Sequence, residues 1–124
     1  MKKEKIRVNT FLNEMCFGEY GYGKVYYKDG KKLKKPYELT EKDFIEISES
    51  EFNELTPEKL GLKDGFTYGE AKSAVIKTKY SNDDQIALML NYQNDEKTYK
   101  KAYEEMQTWR LISTAVAKWL VSNQ

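Results

Sequence analysis

Residues 24–30 read KVYYKDG, and this stretch decides the fold class of the N-terminal part of the chain. Valine and tyrosine favour extended structure, and the Asp29-Gly30 dipeptide is typical of the tight turn that joins two antiparallel strands. We therefore predict a β-hairpin within residues 24–39.

Two further stretches around this hairpin also have the pattern of strands. Ile6, Val8, Thr10 and Leu12 alternate with other residues, and residues 44–47 read FIEI. Such alternation is typical of strands with one face buried. The first 48 residues are therefore predicted to form a hairpin and a small antiparallel sheet.

The second half of the chain carries signals for helix starts. Each is a Ser or Thr followed three residues later by an acid, or by Pro at the first helical position. These starts are Ser48 with Glu51, Thr56 with Pro57, Thr67 with Glu70, and Ser81 with Asp84. Residues 49–124 are predicted to be mainly helical, and Asn91 to Asp95 are predicted to connect the last two helices.

Apolar residues recur at intervals of three and four along the last predicted helix, which spans about 25 residues and roughly 38 Å. They are Tyr99, Tyr103, Met106, Trp109, Ile112, Val116, Trp119 and Leu120. A stripe of this length can exceed what one small domain covers, so these eight residues are a candidate protein interface. The alternative is that all of them pack on the chain's own hairpin and sheet.

Length and composition indicate one globular domain. The 124 residues include 40% hydrophobic and 33% charged residues, with aromatic residues well spread. This balance is unlike that of disordered chains, and no apolar run approaches the roughly 20 residues of a membrane-spanning helix. We predict a single α+β domain over residues 1–124, ending in a helical hairpin with a long amphipathic last helix. With no secretory signal expected, it would stay in the cytosol where it is made.

The net charge of +1 conceals a separation of charge along the chain. Residues 1–40 carry ten Lys and Arg against five acids, whereas residues 41–64 carry eight acids against three Lys. The candidate basic patch on the hairpin consists of Lys24, Lys28, Lys31, Lys32, Lys34 and Lys35. These two blocks are predicted to be solvated surface; the alternatives are that they attract each other within the molecule or contact copies or partners. Nucleic acid would bind the basic patch weakly and without sequence specificity.

The residue types that carry most catalysis are scarce in this sequence. There is no His, and the lone Cys16 lies between apolar residues, so we interpret it as a buried structural thiol. Residues 18–24 have the spacing of a phosphate-binding loop, but Val25 stands where Ser or Thr is required. We therefore predict no enzyme activity, no catalytic or metal-binding residues and no cofactor.

Two parts of the sequence resemble a known class of proteins. Residues 80–88, Asn91, Tyr103, residues 106–110 and residues 115–118 resemble a helical hairpin found in small accessory proteins of tailed bacteriophages and prophages of gut Bacteroides-type bacteria. Residues 22–27 and 37–41 are similar to small β segments in the same kind of protein. The resemblance covers about half the chain and brings no functional residue with it.

What the resemblance implies is a non-enzymatic structural or assembly protein, such as a head, fibre or tail accessory component. Its expected partners are other virion or assembly proteins or copies of itself, with no membrane. It would be found in the host cytoplasm during synthesis and then in the virion. The alternatives are a small phage-encoded inhibitor of a bacterial defence system, which would use the acidic segment or the basic hairpin, and a weak nucleic-acid-binding protein.

Overall fold

A computed structural model describes residues 5–18 and 21–124 of the chain. Its strands are β1 (Ile6–Asn9), β2 (Glu14–Phe17), β3 (Gly23–Lys28), β4 (Lys31–Leu39) and β5 (Phe44–Ile47). Its helices are α1 (Glu49–Asn53), α2 (Pro57–Leu60), α3 (Tyr68–Lys77), α4 (Asn82–Asn94) and α5 (Glu96–Ser122). A single 3₁₀ turn, Glu41–Asp43, precedes β5. The fold is α+β, with antiparallel strands in the N-terminal half and helices in the C-terminal half, as predicted.

A three-stranded antiparallel sheet has β1 at its centre, in the order β2-β1-β5. All four residues of β1 are buried, so both faces of this strand are covered. The strand ends where the Asn9 side chain accepts the backbone N–H groups of Phe11 and Leu12, each at 3.0 Å. An Asn that bonds to the following backbone favours a turn. The predicted strand therefore stops at Asn9, and Thr10 and Leu12 lie in the turn that leads to β2.

The hairpin of β3 and β4 is confirmed, and it is a separate two-stranded sheet. Its turn places Asp29 at φ 51° and Gly30 at φ 79°, the left-handed conformation that the two central residues of a hairpin turn require. The pairing is irregular between Val25 and Tyr27. Pro36, which has no N–H to donate, lies in the stretch of β4 opposite this irregularity, where strands tolerate proline.

The core lies between the three-stranded sheet and the helices α3 and α5. It contains Ile6 and Val8 of the sheet, Val75 of α3, and Trp109 and Val116 of α5. The indole N–H of Trp109 donates a hydrogen bond of 3.1 Å to the backbone carbonyl of Val75, which satisfies a polar group inside the core. The last helix therefore packs on the sheet and on α3.

The predicted helix starts are confirmed, because the side chains of Ser48, Thr56, Thr67 and Ser81 each accept a backbone N–H of the first helical turn. The predicted connection from Asn91 to Asp95 is wrong. Helix α4 continues through Asn94, and Asp95 alone separates it from α5. A one-residue connection is sufficient because the Asp95 carboxylate caps α5 by accepting the N–H of Thr98 at 3.3 Å.

Candidate interaction surfaces

The apolar stripe of the last helix divides into a buried part and an exposed part. Its buried members are Met106, Trp109, Ile112, Val116 and Leu120. These five residues belong to the core, because the sheet and α3 cover them, and they offer no surface to a partner. The sequence-based interface is thereby corrected to its other three members.

Those three members, Tyr99, Tyr103 and Trp119, are only partly covered. The Tyr103 ring stacks in parallel on the ring of Tyr92 in α4, with centroids 4.1 Å apart. Trp119 packs against the ring of Phe17 in β2 at 4.7 Å and is 36% exposed. Tyr103 and Trp119 therefore help to hold elements of the chain together.

A projection that we call the helical arm is formed by α4 and residues 96–105 of α5. None of its residues is buried, because the core begins only at Met106. The inner face of α4 packs on α5 through half-buried residues such as Leu88 and Tyr92. The arm is thus held to the domain by α5 and extends beyond the core.

The outer face of α4 exposes aliphatic side chains and is uncharged from Gln85 to Asn94. Ile86 and Leu90, one helical turn apart, are 57% and 53% exposed. Residues 85–94 contain no charged side chain, although one third of the whole chain is charged. Depletion of charge is a feature of the centre of protein–protein interfaces, so this face is a candidate protein-binding surface.

Contacts between the two helices stabilise the arm at its tip. The Tyr92 hydroxyl donates to a carboxylate oxygen of Glu96 at 3.2 Å. Burial between the helices raises the pKa of Tyr92 above 10, and the nearby Glu96 carboxylate adds to this increase. Tyr92 therefore remains neutral, and a hydrogen-bond donor, throughout the physiological pH range.

The hairpin forms the second candidate surface. All six lysines of the basic patch (Lys24, Lys28, Lys31, Lys32, Lys34 and Lys35) are exposed. Tyr22, Tyr26 and Tyr27 are more than half exposed beside them. Lys31 pairs with Lys28 and Lys32 with Tyr27, so the cations that the sequence singled out lie on both faces of the hairpin.

Contacts at the base and at the tip of the hairpin attach it to the domain. The Tyr37 ring stacks on Phe11 at 4.0 Å, and its hydroxyl donates to the buried Asp43 carboxylate at 2.9 Å. This hydrogen bond is the main reason why the pKa of Tyr37 is raised above 10. At the tip, the Lys118 ammonium meets the Asp29 carboxylate at 3.0 Å.

Beside the base of the hairpin, Arg7 of β1 is buried on the sheet face opposite the core. Its guanidinium donates to the carbonyl of Gly18 at 2.9 Å and lies 4.7 Å from the centre of the Phe44 ring. It also lies 5.6 Å from the centre of the Tyr22 ring and 3.6 Å from the Cys16 sulfur. Cys16, predicted to be buried, is only partly buried.

A cleft of about 520 Å³ lies between β5 and α5. Its floor is apolar and includes Trp109. Its rim carries Glu46, Glu51, Lys79, Lys101, Glu104 and Glu105. The Lys79 ammonium already pairs with Glu51 at 2.6 Å and lies 4.0 Å from the centre of the Trp109 ring. Carboxylates therefore outnumber the remaining cation on the rim, and no sequence signal had brought these residues together, because they come from four separate elements.

Across residues 5–18 and 21–124 no group of three or more His, Cys, Asp or Glu side chains is arranged to hold a metal ion. The loop with phosphate-binding spacing includes residues 19 and 20, outside the described residues, and strand β3 begins at Gly23 within it. Within the described part of the chain, no helix has the length and apolar character needed to cross a membrane.

Comparison of the chain with models of protein families, with curated proteins and with solved structures gives no match.

Proposed function

We propose that this chain is a non-enzymatic structural or assembly protein of a bacteriophage that acts by binding other proteins. The resemblance of its helical hairpin and β segments to phage accessory proteins supports the phage origin. The observation that carries the binding role is the uncharged outer face of α4, with Ile86 and Leu90 both more than half exposed.

The occupant of this face is another protein of the particle or of its assembly intermediates. Because Ile86 and Leu90 are already nearly half covered, burying the rest of each side chain stabilises a complex by roughly 0.8–1.5 kcal/mol. The half-buried inner face of α4 holds the helix on α5, so the outer face is presented by a helix that is already formed, and binding orders little new backbone.

The test is quantitative mass spectrometry of purified particles from the phage or prophage that encodes the chain. We expect the chain in stoichiometric amounts in particles or in assembly intermediates. A double variant, Ile86→Gln with Leu90→Gln, should lower its incorporation by about tenfold or more. A loss of about 1.4 kcal/mol of binding free energy lowers the affinity tenfold.

A matched control is available in the same arm. Thr98→Gln with Ala102→Gln changes two exposed positions that are also four residues apart, on α5, and it should leave incorporation unchanged. Absence of the chain from particles and intermediates would contradict the virion role. If the gene for this chain then lay among short early genes and not among capsid, portal or tail genes, the alternative function as a defence inhibitor would be favoured.

The exposed lysines and tyrosines of the hairpin favour weak binding of single-stranded nucleic acid as a second candidate function. Lys offers a point charge without the planar fork of Arg, so the binding should be independent of sequence. Fluorescence anisotropy with unrelated oligonucleotides should show affinity that falls steeply between about 50 and 200 mM salt. Tight, salt-resistant binding of one sequence, lost in Tyr26→Ala, would instead make nucleic-acid recognition the main function.

A further inference from the structure

We infer that the basic hairpin of one copy of the chain docks into the cleft between β5 and α5 of a second copy. The inference rests on the proposed role in protein–protein contacts, but it concerns surfaces other than the outer face of α4. Three observations support this docking. They are the opposite charges of the two surfaces, the open edge of strand β5 and the repulsion between lysines within the hairpin.

The cleft lies beside an open edge of the sheet. Strand β5 pairs with β1 on one side, and no other described strand pairs with it on the other side. Glu46 and Ile47 of this strand line the cleft, and α5 forms the opposite wall. An open edge presents unpaired N–H and C=O groups, so an extended segment can add to the sheet there.

The rim of the cleft fits a cationic segment. Glu104 and Glu105 are exposed on the α5 wall, and Glu46 is exposed on the strand wall. The cleft already holds an ammonium group of the chain itself, because Lys79 lies over the Trp109 ring and pairs with Glu51. Lys79 thus occupies the aromatic floor, and the rim carboxylates Glu46, Glu104 and Glu105 are the groups that can bind a further lysine side chain.

The hairpin carries the matching charge and has little within itself to neutralise it. Lys28 and Lys31 lie directly opposite each other across the two strands, an arrangement that costs stability in an isolated hairpin. Lys32, Lys34 and Lys35 follow on the same strand. A partner with carboxylates at strand spacing would turn this repulsion into attraction.

A molecule's own hairpin does not reach its own cleft. The hairpin turn is held beside Lys118 through the Asp29 ion pair. The acidic residues of the α5 wall of the cleft, Glu104 and Glu105, lie at least thirteen residues earlier on the same helix, about 20 Å away at 1.5 Å per residue. The contact is therefore between copies, and because it joins two different surfaces it is of the head-to-tail kind, which yields a ring or a chain.

The experiment is sedimentation analysis of the nuclease-treated full chain over a wide range of concentration. We expect self-association at about 0.05 M salt that is lost towards about 0.5 M, because exposed charges are then screened. Reversing the cleft charge with Glu104→Lys and Glu105→Lys should weaken self-association by about tenfold or more, and so should Lys31→Glu with Lys32→Glu.

The decisive measurement is made on a mixture of these two variants. The unaltered hairpin of the cleft variant fits the unaltered cleft of the hairpin variant, and the two altered surfaces are again opposite in charge. The mixture should therefore associate more strongly than either variant alone. Glu58→Lys with Asp64→Lys is the matched control, because it makes the same charge change at exposed positions outside the cleft and should associate like the unaltered chain. Circular dichroism checks that each variant is folded, and Glu104→Gln with Glu105→Gln is the milder substitute where charge reversal prevents folding.

Three results would overturn the inference. One is a monomer at every concentration in low salt, and another is association that both charge-reversed variants retain. If that retained association is lost in Ile86→Gln with Leu90→Gln, the contact is the outer face of α4 and the proposed function stands. The third is association that disappears on nuclease treatment, since nucleic acid would then be the occupant of the hairpin.

Discussion

The two β structures of this protein are both antiparallel but have very different surroundings. Every residue of β1, the central strand of the three-stranded sheet, is buried, whereas Leu39 is the one buried residue among the described strands of the hairpin. Residues that favour strands form both sheets, but helices pack only on the three-stranded sheet. The two sheets therefore have different roles. Substitutions in and under the sheet should therefore change stability, and substitutions on the hairpin should change binding.

The largest effect is expected where α5 packs beneath the sheet. Trp109→Ala removes a ring that is 4% exposed, together with its hydrogen bond to the carbonyl of Val75. Large-to-small changes of buried aromatic residues typically cost about 3–5 kcal/mol of unfolding free energy. Urea denaturation followed by circular dichroism measures the loss.

The control for this variant is the second tryptophan on the same helix. Trp119 is 36% exposed and packs on Phe17 alone among the described rings, so Trp119→Ala should cost roughly 1–2 kcal/mol. Equal costs for the two tryptophans would show that the buried and exposed parts of the helix do not differ as the structure indicates.

A smaller effect is expected at the junction between the sheet and the hairpin. Gly21 has φ +121°, and a Cβ atom added there would lie 2.5 Å from the Phe44 ring. Gly23 has φ +140°, but an added Cβ would meet nothing within 4 Å. Both alanine variants carry backbone strain of about 1–3 kcal/mol, and Gly21→Ala should lose more because it adds a clash. Thermal or urea unfolding of the pair measures the difference, and equal losses would count against this packing of Phe44.

Local signals in the sequence were sufficient to predict most elements of the fold. The Asp29-Gly30 turn and the Ser and Thr caps depend on interactions within a few residues, and the structure confirms them. Strand β2 was not predicted, because the sequence EMCF of Glu14–Phe17 does not alternate apolar and polar residues and its pairing with β1 is a tertiary contact.

The candidate surfaces were predictable only in part. The lysines of the hairpin are exposed, and the sequence grouped them correctly because they are close together in the chain. The stripe on α5 could not be assigned in the same way, since periodicity shows that a face is apolar but not what covers it. The cleft, with Glu46, Lys79 and Glu104 on its rim, depends on elements far apart in sequence, and no local pattern identifies it.

The contribution to stability of the contact that joins the hairpin to the sheet should depend on pH. The pKa of Tyr37 is raised above 10, mainly because its hydroxyl donates to Asp43. A pKa that is higher in the folded than in the unfolded state gives a contribution to stability that is complete below about pH 10 and lost as the pH rises through the folded value. The loss of stability as the pH rises above about 10 should therefore be smaller in Tyr37→Phe than in the unaltered chain. Alkaline unfolding followed by tyrosinate absorbance measures this loss. Tyr26→Phe, which changes an exposed hydroxyl on the same hairpin, is the control and should leave it unchanged.

The smallest effect on stability is expected on the exposed part of the hairpin. Lys34 and Lys35 are exposed and lie where the pairing of β4 with β3 is irregular, so neither supports a regular pair of strands. Surface substitutions of this kind usually change the unfolding free energy by less than about 0.5 kcal/mol. Lys34→Gln with Lys35→Gln should therefore unfold at nearly the same urea concentration as the unaltered chain, while any binding that depends on the basic patch weakens and becomes less sensitive to salt. A loss of more than about 1 kcal/mol would place these lysines in the structural framework and remove the distinction between a structural sheet and a binding hairpin. If both binding and stability are unchanged, the hairpin is not part of the structural framework, and the outer face of α4 is the surface that binds.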